Sequence, residues 1–365
     1  MTLLNLKAGT PVFYRRNLIK LAAVVTLSVA AFPTPVMAQE PIPVVATFSI
    51  LGDMVKRIGG KEVVVTTLVG HNGDTHVYQP TPADAKAVKR ARLLFTNGLQ
   101  FEGWLERLAQ AAAFDGETVV TTDGIELIAL EHHDDDKHAD DKHGDDKHAD
   151  EKHGDDKHGD EKHAESKEKH GDDHDNEKHA GHDAHDHGEF DPHGWLSLRN
   201  AITYVENITA ALSKAAPEKA ATFYQNRAAY IAKIESLDKQ IKDMIAPLPA
   251  RARTIITSHD AFEYFARDYE LVFLAPQGLS TESEASARDV AQLIKQIRAD
   301  GIGAVFVENV ADPRLLQQIA TETSSRIGGK LYPGALSGDD GPAATYLELM
   351  RHNATTIVSA LTQAK

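Results

Sequence analysis

Three features of the sequence predict an α/β protein of two units, each a parallel β-sheet flanked by helices. Short β-branched runs alternate with stretches of helical periodicity, and this alternation resumes beyond a long acidic, histidine-rich tract. A thirty-residue amphipathic stretch, 217–246, separates the two series. The length, 365 residues, accommodates two domains.

The elements follow in chain order. Residues 1–38 carry Arg15, Arg16 and Lys20 ahead of the apolar run "LAAVVTLSVAAF" and the small-residue pattern Val36-Met37-Ala38. Basic, apolar and small residues in that order form a secretion signal, and the apolar part is too short to span a bilayer. The mature chain is expected to start near Gln39, in the periplasm of a Gram-negative bacterium. The first unit, 39–215, has strands "PVVATF" (43–48), "EVVVTTLV" (62–69), "RLLFTN" (92–97) and "ETVVTT" (117–122). Helical segments lie between them at Ile50–Ile58, Pro82–Ala91 and Trp104–Ala113. The connecting stretch, within 216–248, opens on Pro217 and ends at "PLP". Its apolar face reads Phe223, Ala229, Ile231, Ile234, Leu237, Ile241 and Met244. As one helix it would be a stiff rod of about 45 Å. The second unit, 249–365, repeats the alternation with "RTIITS" (253–258), "LVFLAP" (271–276), "GAVFVEN" (303–309) and "GKLYP" (329–333).

The tract at 131–189 holds 23 acids, 9 lysines and 14 of the 19 histidines, and so carries most of the formal charge of −15. Histidines recur there every five residues from His138 to His163. Five fits neither the helical nor the strand period, and almost no apolar residue is present to offset the entropy of ordering, so the tract reads as a disordered insertion. Tethered imidazoles at high local density can collect zinc weakly but cannot form one preorganised cage. Outside the tract no basic patch suggests nucleic acid. With no cysteine, any metal site must use histidine and oxygen.

Five histidines lie outside the tract. His76, in "GHNGDTHVYQPTPAD", follows the strand ending at Val69; His193, in "FDPHGWLS", follows the tract; His259, in "TIITSHDAFEYFA", follows the first strand of the second unit. Open α/β sheets bind ligands beyond the carboxyl ends of their strands, which is where His76 and His259 fall. A lone histidine there is more often a satisfied structural residue, but three able to meet in one cleft favour a metal. Imidazole suits zinc, copper and nickel, while carboxylate-rich sites suit manganese and magnesium, so three histidines favour zinc. His71 and His352 read as exposed or capping residues. Asp191 and Asp260, each next to a candidate ligand, are placed to orient an imidazole or to serve as ordinary turn and cap residues. Trp195, Phe262, Tyr264 and Phe265 read as core.

In chain order, "GDTHVYQPTPAD", "FDPHGWLS", "SHDAFEYFARDY", "APQGLSTESEAS", "VFVENVADPRLLQQIA" and "DGPAATYLELMRHN" resemble segments of the periplasmic metal-binding proteins of zinc and manganese ABC importers, the cluster that includes ZnuA. The resemblance implies two lobes joined by a long helix, metal in the cleft, and His76, His193 and His259 as the first three ligands. It also implies a monomer that takes up Zn2+, or less readily Mn2+, and delivers it to a membrane permease. The third ligand is typically a carboxylate in manganese-type members, so His259 points to zinc. The sequence departs from the family at the fourth position. Gly334, in "YPGALS", stands where many members have aspartate, which leaves a water, Asp339 or Asp340 to complete the shell. A zinc hydrolase is the rival reading and lacks an H-E-x-x-H or comparable pairing; a periplasmic zinc buffer built on the tract is the third.

Overall fold

The computed structural model describes residues 40–130 and 188–363. The secretion signal and all of the histidine-rich tract but its last two residues lie outside them.

Four parallel strands, β1 (Ile42–Phe48), β2 (Val63–Val69), β3 (Leu93–Thr96) and β4 (Glu117–Val120), form the first sheet in the order β2-β1-β3-β4. The second sheet repeats the pattern with β5 (Thr254–Ile256), β6 (Val272–Leu274), β7 (Ala304–Glu308) and β8 (Arg326–Leu331), ordered β6-β5-β7-β8. In each sheet the chain runs outward from the first strand and then crosses back over it. This creates a switch point beyond the carboxyl ends of β1 and β3, and another beyond those of β5 and β7, where crevices form in sheets of this kind.

Helices cover the sheets. In the first half they are α1 (Ser49–Gly59), α2 (Pro82–Arg90), α3 (Leu105–Ala112) and α4 (Leu198–Ala215). Pro82 opens α2 and a reciprocal capping box of Thr81 with Asp84 satisfies its first amides. The long helix α5 (Ala220–Ile245) has 26 residues and reaches about 39 Å. It begins later than the sequence suggests because Pro217–Lys219 forms a separate 3-10 turn. Its buried stripe runs through Phe223, Tyr230, Ile234, Leu237, Ile241 and Ile245; Tyr230 takes the place expected for Ala229, which is exposed. Each fully buried aliphatic side chain in that stripe contributes roughly 1.5–3 kcal/mol. The second half adds α6 (Glu263–Tyr269), α7 (Ala287–Asp300), α8 (Arg314–Thr323) and α9 (Tyr346–Gln363).

One apolar core runs from β1, α1 and β3 through α4, α5 and α9 to one face of the second sheet. Alternation along the strands divides that sheet: Ile255, Ala304 and Phe306 face this core, whereas Ile256 and Val305 face a smaller cluster under α7 and α8. The last strand starts three residues earlier than the expected 329–333. Its glycines lower strand propensity, but they are required by packing, since a Cβ on Gly328 would sit 2.7 Å from the Phe306 ring and 2.9 Å from Ala360.

Candidate metal centre

The strands β5 and β7 end side by side, and their continuations build one wall of a polar site. After Ile256 the chain leaves the sheet and presents Ser258 and His259, while β7 ends on Glu308. The buried Glu308 carboxylate accepts hydrogen bonds from the Ser258 amide (2.9 Å), the His259 amide (3.2 Å) and His259 Nδ1 (2.5 Å). Because the carboxylate accepts, Nδ1 carries the proton and Nε2 is left with its lone pair toward the site.

The opposite wall comes from the end of β3. Asn97 donates through Nδ2 to the carbonyl of Pro192 (2.9 Å) and accepts from the Tyr204 hydroxyl (2.6 Å). The buried Glu102 holds the loop closed by accepting from Thr47 Oγ1 (2.6 Å) and the Asn97 amide (2.8 Å). His193 follows Pro192, and the Asp191 carboxylate accepts from its amide and from its Nδ1, both at 2.8 Å. Here too Nε2 is the free nitrogen, and it is buried without a hydrogen-bond partner. Trp195 and Phe101 flank the ring, with centroids 5.3 and 6.0 Å away.

His76 completes the group from the loop after β2. Its amide donates to Asp74 Oδ1 (3.0 Å), and its ring packs edge-on against Phe101 at 4.9 Å. One nitrogen from each of His76, His193 and His259 lies within 4.8 Å of the others, with ring centroids 5.5–5.9 Å apart. His193 and His259 are buried and His76 is half-buried. Beside His76 opens a cavity of about 880 Å3, lined in part by Tyr78, Phe101, Glu106 and Glu282.

The electrostatics of the two buried imidazoles differ. Burial, reinforced by the charge of His259, holds the pKa of His193 well below its ordinary value. Burial acts in the same direction on His259 and is the largest single influence there. The charge and hydrogen bond of Glu308, with Asp74 and Asp260 behind it, outweigh burial and leave the pKa raised. Burial pushes Asp191 up to about 7 and Asp260 up to about 6.

The sequence reading placed Asp191 correctly as an orienting carboxylate. For His259 the orienting carboxylate is Glu308, which accepts from Nδ1, while the Asp260 amide donates to the Gly278 carbonyl (3.1 Å), in line with the turn role the sequence also allowed it. Sequence adjacency favoured Asp260; strand adjacency decides. The signal for Glu308 was an acid closing an apolar strand in "VFVEN", at the end of the sheet where ligands bind. His71 is exposed, and His352 on α9 contacts the Lys330 carbonyl (3.0 Å). Asp339 and Asp340 are exposed and stand apart from the three-histidine group. Trp195, Phe262, Tyr264 and Phe265 are fully buried, and the Tyr264 hydroxyl also donates to the Asp191 carbonyl (3.0 Å).

The chain resembles known proteins over nearly its whole length. A family profile described as "Zinc-uptake complex component A periplasmic" matches residues 44–360. The manganese-binding lipoprotein MntA of Bacillus subtilis is 29% identical over 329 residues, covering 89% of this chain and 91% of that protein. A Mn-bound periplasmic metal-binding protein from Candidatus Liberibacter asiaticus superposes with a TM-score of 0.67 at 29% identity, over 87% of this chain and 98% of that one. The periplasmic zinc-binding protein TroA of Treponema pallidum does so with a TM-score of 0.70 at 26% identity, over 88% and 99%. Two parallel four-stranded sheets, a long helix and a match spanning the folded region together show that the chain belongs to the ZnuA family, the periplasmic metal-binding proteins of ABC metal importers, which capture a metal for transport and are not enzymes.

Proposed function

We propose that this protein captures Zn2+ in the periplasm through His76, His193 and His259 and delivers it, as a monomer, to the permease of a high-affinity uptake system. The observation that carries the reading is the donor set: three imidazole nitrogens, and among the described residues no carboxylate in the group with them. Imidazole suits zinc, whereas manganese favours carboxylate and water oxygens. Zinc held tetrahedrally with Zn–N bonds near 2.0 Å needs its nitrogens about 3.3 Å apart, so modest ring rotations would close the group on the ion. In both buried rings the Nδ1 proton is fixed by an acid, which leaves Nε2 to bind. The fourth position falls to water, because the exposed Asp339 and Asp340 stand apart from the group.

Manganese is the second reading, favoured by relatives such as the manganese-binding MntA and the Mn-bound protein of Candidatus Liberibacter asiaticus. Competitive titration of the purified protein separates the two. Zinc should bind as one tight equivalent, retained after deletion of the 131–189 tract, and more tightly than manganese. A preference for manganese would reassign the cargo, and loss of the tight equivalent with the tract would make the protein a zinc buffer.

A further inference from the structure

The segment "APQGLSTESEAS", between β6 and α7, is singled out by the sequence yet supplies none of the three histidines. In the structure it touches two of the loops that do. At one end Gln277 forms a parallel bridge with His259, and the Gly278 carbonyl accepts from the Asp260 amide at 3.1 Å. Four residues after Gln277, Thr281 Oγ1 donates to Asp74 Oδ2 at 2.6 Å, while Oδ1 of the same carboxylate accepts from the His76 amide at 3.0 Å. A continuous strap therefore runs from the backbone of His259 through 277–281 to Asp74 and the backbone of His76. Leu279, Ser280 and Glu282 of this segment line the cavity beside His76. Two further ties to the second half of the molecule, the Asn72 amide to the Leu336 carbonyl (2.8 Å) and Asn309 Nδ2 to Asn72 Oδ1 (3.1 Å), fall four residues before the histidine, and within the first half the Thr75 carbonyl accepts from Trp104 Nε1 (2.9 Å).

From this arrangement, and resting on the metal-capture reading above, we infer that Thr281 is a positioning residue whose bond to Asp74 sets how fast the metal leaves. His193 and His259 are buried, whereas His76 is half-buried and lines the cavity, so His76 is the imidazole with room to withdraw. Its backbone is registered against His259 by the strap. When the Thr281 hydroxyl lets go, Asp74 and the His76 amide move free of the second half of the molecule, and the metal loses a ligand on the side facing the cavity.

The test is zinc release from the full-length, zinc-loaded protein into excess chelator, followed by stopped flow, beside the association rate and the melting temperature of the metal-free protein. Thr281→Val removes the donor and keeps the shape. A hydrogen bond to a charged acceptor accounts for roughly a tenfold or greater change in release rate, so Thr281→Val should release zinc about ten times faster. Association should stay within about twofold, and Thr281→Ser should release near the wild-type rate. Adding Thr281→Val to Asp74→Ala should bring no further acceleration, because the pair acts as one unit. Equal release from wild type and Thr281→Val overturns the inference, as does equal acceleration in the Ser and Val variants, or independent effects in the double variant. A wild-type protein that takes up no zinc overturns the function itself.

Discussion

The two buried histidines and the one at the cavity edge are held in different ways. The rings of His193 and His259 are each clamped at Nδ1 by an acid that also accepts from their own amides, so that ring and backbone share one anchor. His76 is registered through its amide by Asp74, on a loop tied to the second half of the molecule. The difference divides the site into a preformed pair and a third donor set by a loop. Preorganisation of the pair lowers the entropy lost when the ion arrives, and the third donor, half-buried at the cavity edge, leaves the ion a way out.

The largest effects come from removing the donors. Replacing His193 or His259 with Ala should weaken zinc binding by more than the roughly 10–100-fold typical of losing an outer partner. His76→Ala should weaken it less, because the preformed pair survives. Isothermal titration against a competing chelator reads all three, and equal losses would erase the distinction between clamped and loop-borne donors. Next come the clamps. Glu308→Gln and Asp191→Asn keep the shape but replace the charged acceptor of Nδ1–H with a neutral, weaker one, and each should cost roughly 10–100-fold in affinity. Unchanged affinity in both would mean that the tautomers need no fixing.

Acid should loosen the metal through His259 first. A proton and the ion compete for the same imidazole, and its pKa is raised above the ordinary value near 6.5 by Glu308. Below that raised pKa the metal-free protein holds on His259 a proton that the loaded one lacks. Affinity is complete above it and falls by about tenfold per pH unit below it. His193, with its lowered pKa, takes up a proton only at lower pH than His259. Zinc titrations between pH 8 and 5 check the slope. In Glu308→Gln the decline should begin at lower pH, because the charge that raises the His259 pKa is gone; an onset that stays put would remove Glu308 as its cause.

Much of the fold was legible because both sheets write themselves as short β-branched runs between helical repeats. The carboxyl ends of those strands then pointed to His76 and His259. Beyond them the reading faltered where proximity is made by strand order rather than sequence. Glu308 reaches His259 because β7 lies next to β5, across 49 residues of chain, and Asp260 had only adjacency to recommend it. Asn97 and Glu102 position His193 through the Pro192 carbonyl, a link that joins residues 95 apart and that no local pattern announces. The β8 glycines masked a strand whose requirement is close approach to Phe306, not propensity. Tyr230 takes the place of Ala229 on the buried face of α5 because it stands seven residues after Phe223 and four before Ile234, on the helical stripe that Ala229 misses by one.

The smallest expected effect tests whether the loop-borne side of the site can be given its own charged donor. Gly334 is half-buried, its backbone φ is not in the left-handed region, and a Cβ added there would meet nothing within 4 Å, so a side chain fits without strain. Its neighbours tie the segment to both walls: the Pro333 carbonyl accepts from Trp195 Nε1 (2.7 Å), and the Leu336 carbonyl accepts from the Asn72 amide at the start of the His76 loop. Gly334→Asp would restore the carboxylate that many family members carry at this position. A hard oxygen donor should favour manganese over zinc, so the ratio of the two affinities should move toward manganese by about fivefold while zinc binding alone changes little. Parallel zinc and manganese titrations of the variant read the ratio. A ratio that does not move would mean that position 334 does not reach the ion, and that selectivity is set by the three imidazoles and their clamps alone.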